Sequence, residues 1–287
     1  MKTHILIVTS IVLFCSSFSI AEVFQTINAP GATQTYVSGI DNGNIAGYYA
    51  DSSNLVHGFF CDGTNWTTRD MPGAKQTEIL CIDGTNFAGQ YNDFQGGWHN
   101  FLFNGTTWTT IDSSNWLPKS MSGNKIIGTV TFALPAKSVI YDITNATVSN
   151  FNYQAGGTAA SGIDGDNIVG SIVTMDSSGM HDQGFLYDGS TWTLLDMPGA
   201  DSTMPYVIDG DNIVGAYQVG SNINFFLYDG LTWKTLDNWA KASDMEGDKI
   251  VGSYYDSSGS HGFIYTIPEP ATILLFTLSG LALRRKH

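Results

Sequence analysis

This sequence is poor in positive charge. Its 287 residues carry 12 lysines and arginines against 26 acids, a net charge of −14. Between the two apolar ends, residues 22–266 hold 8 bases and 25 acids, a net of −17, with Arg69 as the one arginine. Such a body repels polyanions, which excludes nucleic acid and anionic lipid as partners. Glutamate is scarce as well: the body has Glu22, Glu78 and Glu246 beside 22 aspartates. Asp favours turns and Glu favours helices, so the choice of acid speaks against helix. Only Cys61 and Cys81 remain in the body. Two cysteines could pair in an oxidising compartment, but they are no disulfide framework. The chain also lacks a G-x-S-x-G elbow, a metal-ligating helix and a phosphate loop.

What the sequence has in plenty is itself. The phrase hydrophobic-Asp-Gly-x-Asn/Lys-apolar-apolar-Gly recurs with its last glycine at Gly47, Gly89, Gly128, Gly170, Gly215 and Gly252. The steps between these glycines are 42, 39, 42, 45 and 37 residues. Behind each comes a second phrase such as HGFFCDG at 57–63, HNFLFNG at 99–105 and GFLYDG at 184–189. A third, TxW followed by alternating residues, surrounds Trp66, Trp108, Trp192 and Trp233. Short β-branched and aromatic runs bounded by turn dipeptides read as strands. Asp83-Gly84, Asp164-Gly165 and Asp209-Gly210 supply the positive φ of a tight hairpin, and Asp62-Gly63 and Asp188-Gly189 serve the next turn. Four antiparallel strands in about forty residues match a propeller blade. The chain therefore predicts an all-β, six-bladed β-propeller over residues 22–266.

The sixth repeat stops at Tyr265 without its fourth strand, while FQTINAPGA at 24–32 is a fourth strand without a blade. Residues 23–28 are expected to pair with His261–Tyr265, closing the ring and satisfying two exposed strand edges. The units resemble the extracellular HAF repeat family through His57-Gly58-Phe59, His99-Asn100-Phe101 and His261-Gly262-Phe263. The fourth copy has Gln183-Gly184-Phe185 and the fifth Asn224-Phe225-Phe226, and the third, Lys137-Ser138-Val139, departs most. That resemblance implies a secreted repeat domain and no particular chemistry.

The ends read as addresses. Lys2 precedes an apolar run, Ile5 to Phe14, and a polar stretch ending Ser19-Ile20-Ala21. Small residues before the cut suit signal peptidase, so residues 1–21 are expected to be a signal peptide cleaved after Ala21. The other end has Pro268-Glu269-Pro270, an apolar run from Ala271 to Leu283, and Arg284-Arg285-Lys286. This tail, 267–287, resembles the PEP-CTERM sorting signal of Gram-negative bacteria. The resemblance implies a short apolar transmembrane helix held transiently in the inner membrane, its basic end cytoplasmic. It further implies an exosortase-type membrane protease as partner, and a protein released from the cell or re-anchored at its surface.

Chemistry is scarcer. His57, His99 and His261 head equivalent strands on a wide circle, too far apart for one ion at roughly 2 Å bonds. A polar strand start or an inter-blade hydrogen bond is the expected role. The Asp turns lack the spaced ligands and bidentate acid of a calcium loop, so neither metal nor cofactor is expected. YDGSTW at 187–192 resembles the Asp-box of sialidase propellers but has different spacing, and one arginine cannot build a sialidase site. The sequence singles out no carboxylate pair for another glycosidase. A non-catalytic protein is expected, with a degenerate propeller hydrolase or lyase acting on a glycan as the alternative. Its ligand would be extracellular polysaccharide or a protein. The candidate binding residues are Tyr49, Tyr91, Trp98, Trp116, Tyr153, Tyr217, Trp239 and Tyr254, rings beside Asp and Asn that suit sugars.

Overall fold

The computed structural model describes residues 23–267 apart from 112–114, 132, 134, 154–156, 177–178 and 237–240. The signal cleavage site at Ala21, the sorting residues Pro268, Glu269, Pro270, Arg284 and Arg285, and Trp239 lie outside the described residues. Among the described residues no helix is long and apolar enough to cross a membrane.

Among the described residues twenty-four strands form six four-stranded antiparallel sheets, the blades of a six-bladed β-propeller. Blade 1 comprises Gln34–Asp41, Asn44–Ala50, Val56–Cys61 and Trp66–Thr68, and each later blade repeats that order outward from the centre. Blade 6 consists of Lys241–Glu246, Lys249–Asp256 and Gly259–Thr266, completed by the N-terminal strand Val23–Ile27. The register is Val23 against Thr266, Phe24 against Tyr265, Gln25 against Ile264, Thr26 against Phe263 and Ile27 against Gly262. The expected closure is therefore present, and Phe24 stacks on Phe263 at 5.2 Å.

The core divides into six apolar clusters, one at each interface between neighbouring blades. The paired apolar residues of the repeat serve two interfaces at once. Successive side chains of a strand point to opposite faces, so Ile45 packs toward blade 6 while Ala46 packs toward blade 2. Cys61 and Cys81 are both buried and free, so the question of a bond between them resolves against a disulfide.

The glycine that ends each phrase has a steric reason. In every first strand the pairing slips by one residue, between Val37 and Gly39 in blade 1 and at the same place in the other five. The bulge pushes the first strand's carbonyl against the second strand. A Cβ on Gly47 would meet the Tyr36 carbonyl oxygen at 2.0 Å, and one on Gly89 the Glu78 oxygen at the same 2.0 Å. Only glycine fits so close an approach.

The Asp-Gly turns differ from the sequence reading. Asp83 pairs with Asn86 as the last residue of its strand, so the two-residue turn is Gly84-Thr85 rather than Asp83-Gly84. This leaves the carboxylate outside the turn, and it accepts the turn amide of the next blade. Asp83 accepts from Gly123 at 2.5 Å, Ser122 from Gly165 at 3.0 Å, Asp164 from Gly210 at 2.9 Å and Asp209 from Gly247 at 2.6 Å. Asp41 accepts from Gly84, and Glu246 completes the circle by accepting from Asn42 at 2.6 Å and Gly43 at 2.9 Å. Six side-chain clamps thus join the blades around one end of the tunnel.

Candidate functional site

The first strands surround a central cavity of about 800 Å³. Its walls come from the beginnings of the first strands and the ends of the second strands, so it opens on the face that carries the second-to-third connections. The clamped hairpins lie at the opposite end. In each blade the bulge presents one unpaired residue to the lumen: Ser38, Leu80, Lys119, Ser161, Tyr206 and Ser243. Two of these hydroxyls tie blades together, Ser38 donating to the Ile79 carbonyl at 2.6 Å and Ser161 to that of Pro205 at 2.6 Å.

Two groups of lining residues differ in character. From blades 1 and 2 come Tyr36 and Tyr48, stacked at 4.8 Å, and Glu78, whose Oε2 accepts from Gln90 Nε2 at 2.5 Å. Burial raises the Glu78 carboxyl above its ordinary range, against the pull of that hydrogen bond. Burial also raises the Tyr48 phenol strongly, with the Glu78 charge next in weight. From blades 3 and 6, opposite one another in a ring of six, come Lys119 and Lys241. Lys119 is exposed to the lumen, where desolvation by the surrounding walls lowers its ammonium and the charge of Lys241 lowers it further.

The face onto which this cavity opens carries exposed apolar side chains. Phe94 is 77% exposed, Tyr255 80% and Trp98 41%, and Leu55 and Ile223 stand on the same set of connections. Blades 5, 6, 1 and 2 supply them, so they form a continuous arc.

The candidate rings from the sequence divide by this geometry. Trp98 lies on the arc, and Tyr254 touches the cavity lining. Trp116 is 2% exposed and packs beside Tyr141 in the interface of blades 2 and 3, so it offers no face to a ligand. Tyr153 packs against Trp192 at 5.2 Å. Tyr49, Tyr91, Tyr217 and Tyr254 occupy one repeated position. Their hydroxyls bond Thr68, Thr110, Thr235 and Thr26 of their own outer strands at 3.1, 3.0, 3.0 and 2.9 Å. Tyr49, Tyr91 and Tyr254 also lie against His57, His99 and His261.

Of the two roles expected for those histidines, a polar strand start or an inter-blade hydrogen bond, the bonds they make fit the first. His57 Nδ1 meets Asp70 at 2.7 Å, His99 Nε2 meets Asp93 at 3.0 Å, and His261 Nδ1 meets Asn28 at 2.9 Å. Among the described residues no three His, Cys, Asp or Glu side chains are grouped to hold a metal. Sequence reasoning missed the lumen residues. The signal available for them was the motif glycine, because the bulged residue precedes it by nine positions in every repeat, from Ser38 and Gly47 to Ser243 and Gly252.

Fold and lumen together define a closed six-bladed β-propeller with a pocket in its axis. Comparison with family models gives no match, and comparison with curated protein sequences gives none either. Among solved structures the chain is similar to the β-propeller domain of the trilobed protease from Pyrococcus furiosus, at 12% identity over 81% of each chain with a TM-score of 0.54. It is similar to the acylaminoacyl peptidase of Pyrococcus horikoshii at 13% identity, over 80% of this chain and 44% of that one, with a TM-score of 0.51. TolB from Acinetobacter baumannii gives 15% identity, 78% and 64% coverage and a TM-score of 0.50. The chain thus spans less than half the length of the peptidase. At such identities the likeness concerns the fold alone. The P. furiosus propeller is described as having an open velcro topology, whereas here the N-terminal strand closes the last blade.

Proposed function

We propose that this chain is a non-catalytic propeller that binds extracellular polysaccharide through the open end of its tunnel. One observation carries this reading. The exposed rings of Phe94, Trp98 and Tyr255 stand on the face onto which opens a cavity lined by Tyr36, Tyr48, Tyr206 and serine hydroxyls. Rings stack on sugar CH faces and hydroxyls exchange hydrogen bonds, the mixture a saccharide site requires. The lining also weighs against the hydrolase alternative. Glu78 is its one carboxylate among the described residues, whereas glycoside hydrolysis ordinarily needs two.

The test is calorimetric titration of residues 22–266 with a panel of soluble polysaccharides, for the parent and for Trp98→Ala with Tyr255→Ala. The expected result is binding to at least one glycan, weakened at least about 10-fold in the double variant while circular dichroism is unchanged. Unchanged affinity, or shortened glycan products, would overturn the reading.

Export belongs to the same proposal. The order of leader, propeller and tail supports cleavage after Ala21 and sorting from Pro268-Glu269-Pro270 by an exosortase-type protease, leaving the propeller at or beyond the cell surface. Fractionating cells that express the chain with and without residues 268–287 tests it. Retention of both forms inside the cell refutes it.

A further inference from the structure

Eight bases remain in a body of net charge −17, and two of them, Lys119 and Lys241, stand in the same cavity. Packing does not ask for this. The other bulge positions hold Ser38, Leu80, Ser161, Tyr206 and Ser243, so the backbone accepts a neutral residue there. Two ammonium groups confined in one lumen repel, and desolvation by the surrounding walls disfavours the charged form of Lys119 besides. Lys125, on the outside, has the carboxylate of Asp166 as a partner. Among the described residues neither Lys119 nor Lys241 has one, and the cavity's carboxylate, Glu78, is already engaged by Gln90. A pair of ammonium groups exposed to the lumen, with no carboxylate in ion-pair contact among the described residues, in a cavity that opens on the face of the exposed rings, is a place prepared for an anion.

We infer that the Lys119–Lys241 pair receives a single anionic substituent of a saccharide, a carboxylate, sulfate or phosphate ester, while the rest of the sugar chain lies on the rings of that face. This rests on the tunnel face being the glycan face. The charge of the whole body limits the ligand further. Its outer surface repels dense polyanions at long range, so the matching glycan is sparsely charged and mostly neutral. Lysine is a compact point charge without the planar fork of arginine, so the site selects for charge more than for the shape of the acid group.

The experiment measures binding of a glucuronate-terminated trisaccharide and its glucose-terminated counterpart, with 6-sulfated and 6-phosphorylated forms as further arms. The proteins are the parent, Lys119→Met, Lys241→Met and the double variant. Methionine keeps the length of an apolar stem, and thermal melting reports whether each variant folds. The parent is expected to favour at least one charged form over the neutral one by 10-fold or more, and the double variant to abolish that preference while still holding the neutral sugar. The arm with the largest preference identifies the acid. Equal affinity of the parent for charged and neutral forms, or a preference that survives both substitutions, overturns the anion site and leaves the glycan face standing. Failure of all forms to bind, when longer polysaccharides fail as well, overturns both. If Lys119→Met does not fold, the preference is read from Lys241→Met, and an unchanged preference there also counts against the pair.

Discussion

Ile27 is the test of whether the borrowed strand belongs to the ring. It is 8% exposed and packs in one cluster with Val37, Ile40, Ile45 and Phe59 of blade 1 and Val251 of blade 6. It therefore touches both sides of the seam where the circle closes. Ile27→Ala leaves a cavity in that cluster and removes apolar surface from it. Such truncations cost about 2–5 kcal/mol, depending on how far the surroundings collapse. The cluster is held by ladders on two blades and cannot relax freely, so about 3 kcal/mol is expected. For a domain of this size 1 kcal/mol at the midpoint corresponds to about 2–4 °C, which places the fall in Tm at roughly 6–12 °C. Val148→Ala is the control. Val148 is also on an outermost strand, in blade 3, but it is 45% exposed, and its truncation should shift Tm by less than about 2 °C. Scanning calorimetry of residues 22–266 measures both. A melt of Ile27→Ala within about 2 °C of the parent, or an equal loss in Val148→Ala, refutes the idea that this strand is an integral part of the last blade.

The clamps and the buried acid give two further expectations. Asp164→Ala removes the acceptor of the Gly210 amide and should cost about 1–2 kcal/mol in urea unfolding at unchanged m, whereas Asp211→Ala in the neighbouring turn should be near neutral. Asp244, half-buried beside the turn, accepts from the Ile40 amide at 3.0 Å, yet burial pushes its carboxyl up to about 7 from an ordinary 3.8. Between those pH values the folded form binds the proton more tightly than the unfolded form, so its contribution to stability declines as pH rises and levels off above about 7. Asp244→Asn removes that decline, and its stability relative to the parent should grow by about 3 kcal/mol from pH 4.5 to 7.5. A difference that stays constant or shrinks refutes the shift.

The blades were legible because each strand in them is dictated by its neighbours. Apolar pairs such as Ile45-Ala46 must appear in every repeat, since each pair feeds two interfaces. The closure was legible for the same reason, as Phe24 to Ile27 carries the wording of an outer strand. Side-chain destinations were less so. The rings at Tyr49, Tyr91, Tyr217 and Tyr254 recur like a ligand rim, but their recurrence comes from a hydroxyl bond to an outer-strand threonine. Trp116 begins its strand beside a loop in the sequence, yet it covers Gly128 from the interior, where an added Cβ would meet its ring at 2.3 Å. The Asp of each hairpin was explained by turn geometry alone, and a partner 38–46 residues away cannot be read from a local turn.

The lumen stayed hidden for an instructive reason. A repeat is visible where packing forces the same residue into every copy, and a bulged residue facing an open cavity is constrained only where, as at Ser38 and Ser161, it bonds the next blade. Three copies hold serine, at Ser38, Ser161 and Ser243, while Leu80, Lys119 and Tyr206 depart from it at the same backbone position. Agreement among the copies reports the ring, and disagreement at a position fixed by the ring reports what the ring has been given to do. By that criterion blade 3 is set apart by its charge at this position. A lysine replaces the neutral residue of every other blade, and the residue that answers it from blade 6, Lys241, stands two residues before that blade's bulge rather than filling it. Two lysines that reach the same lumen from non-equivalent positions are not a by-product of duplication, which would have placed them in register.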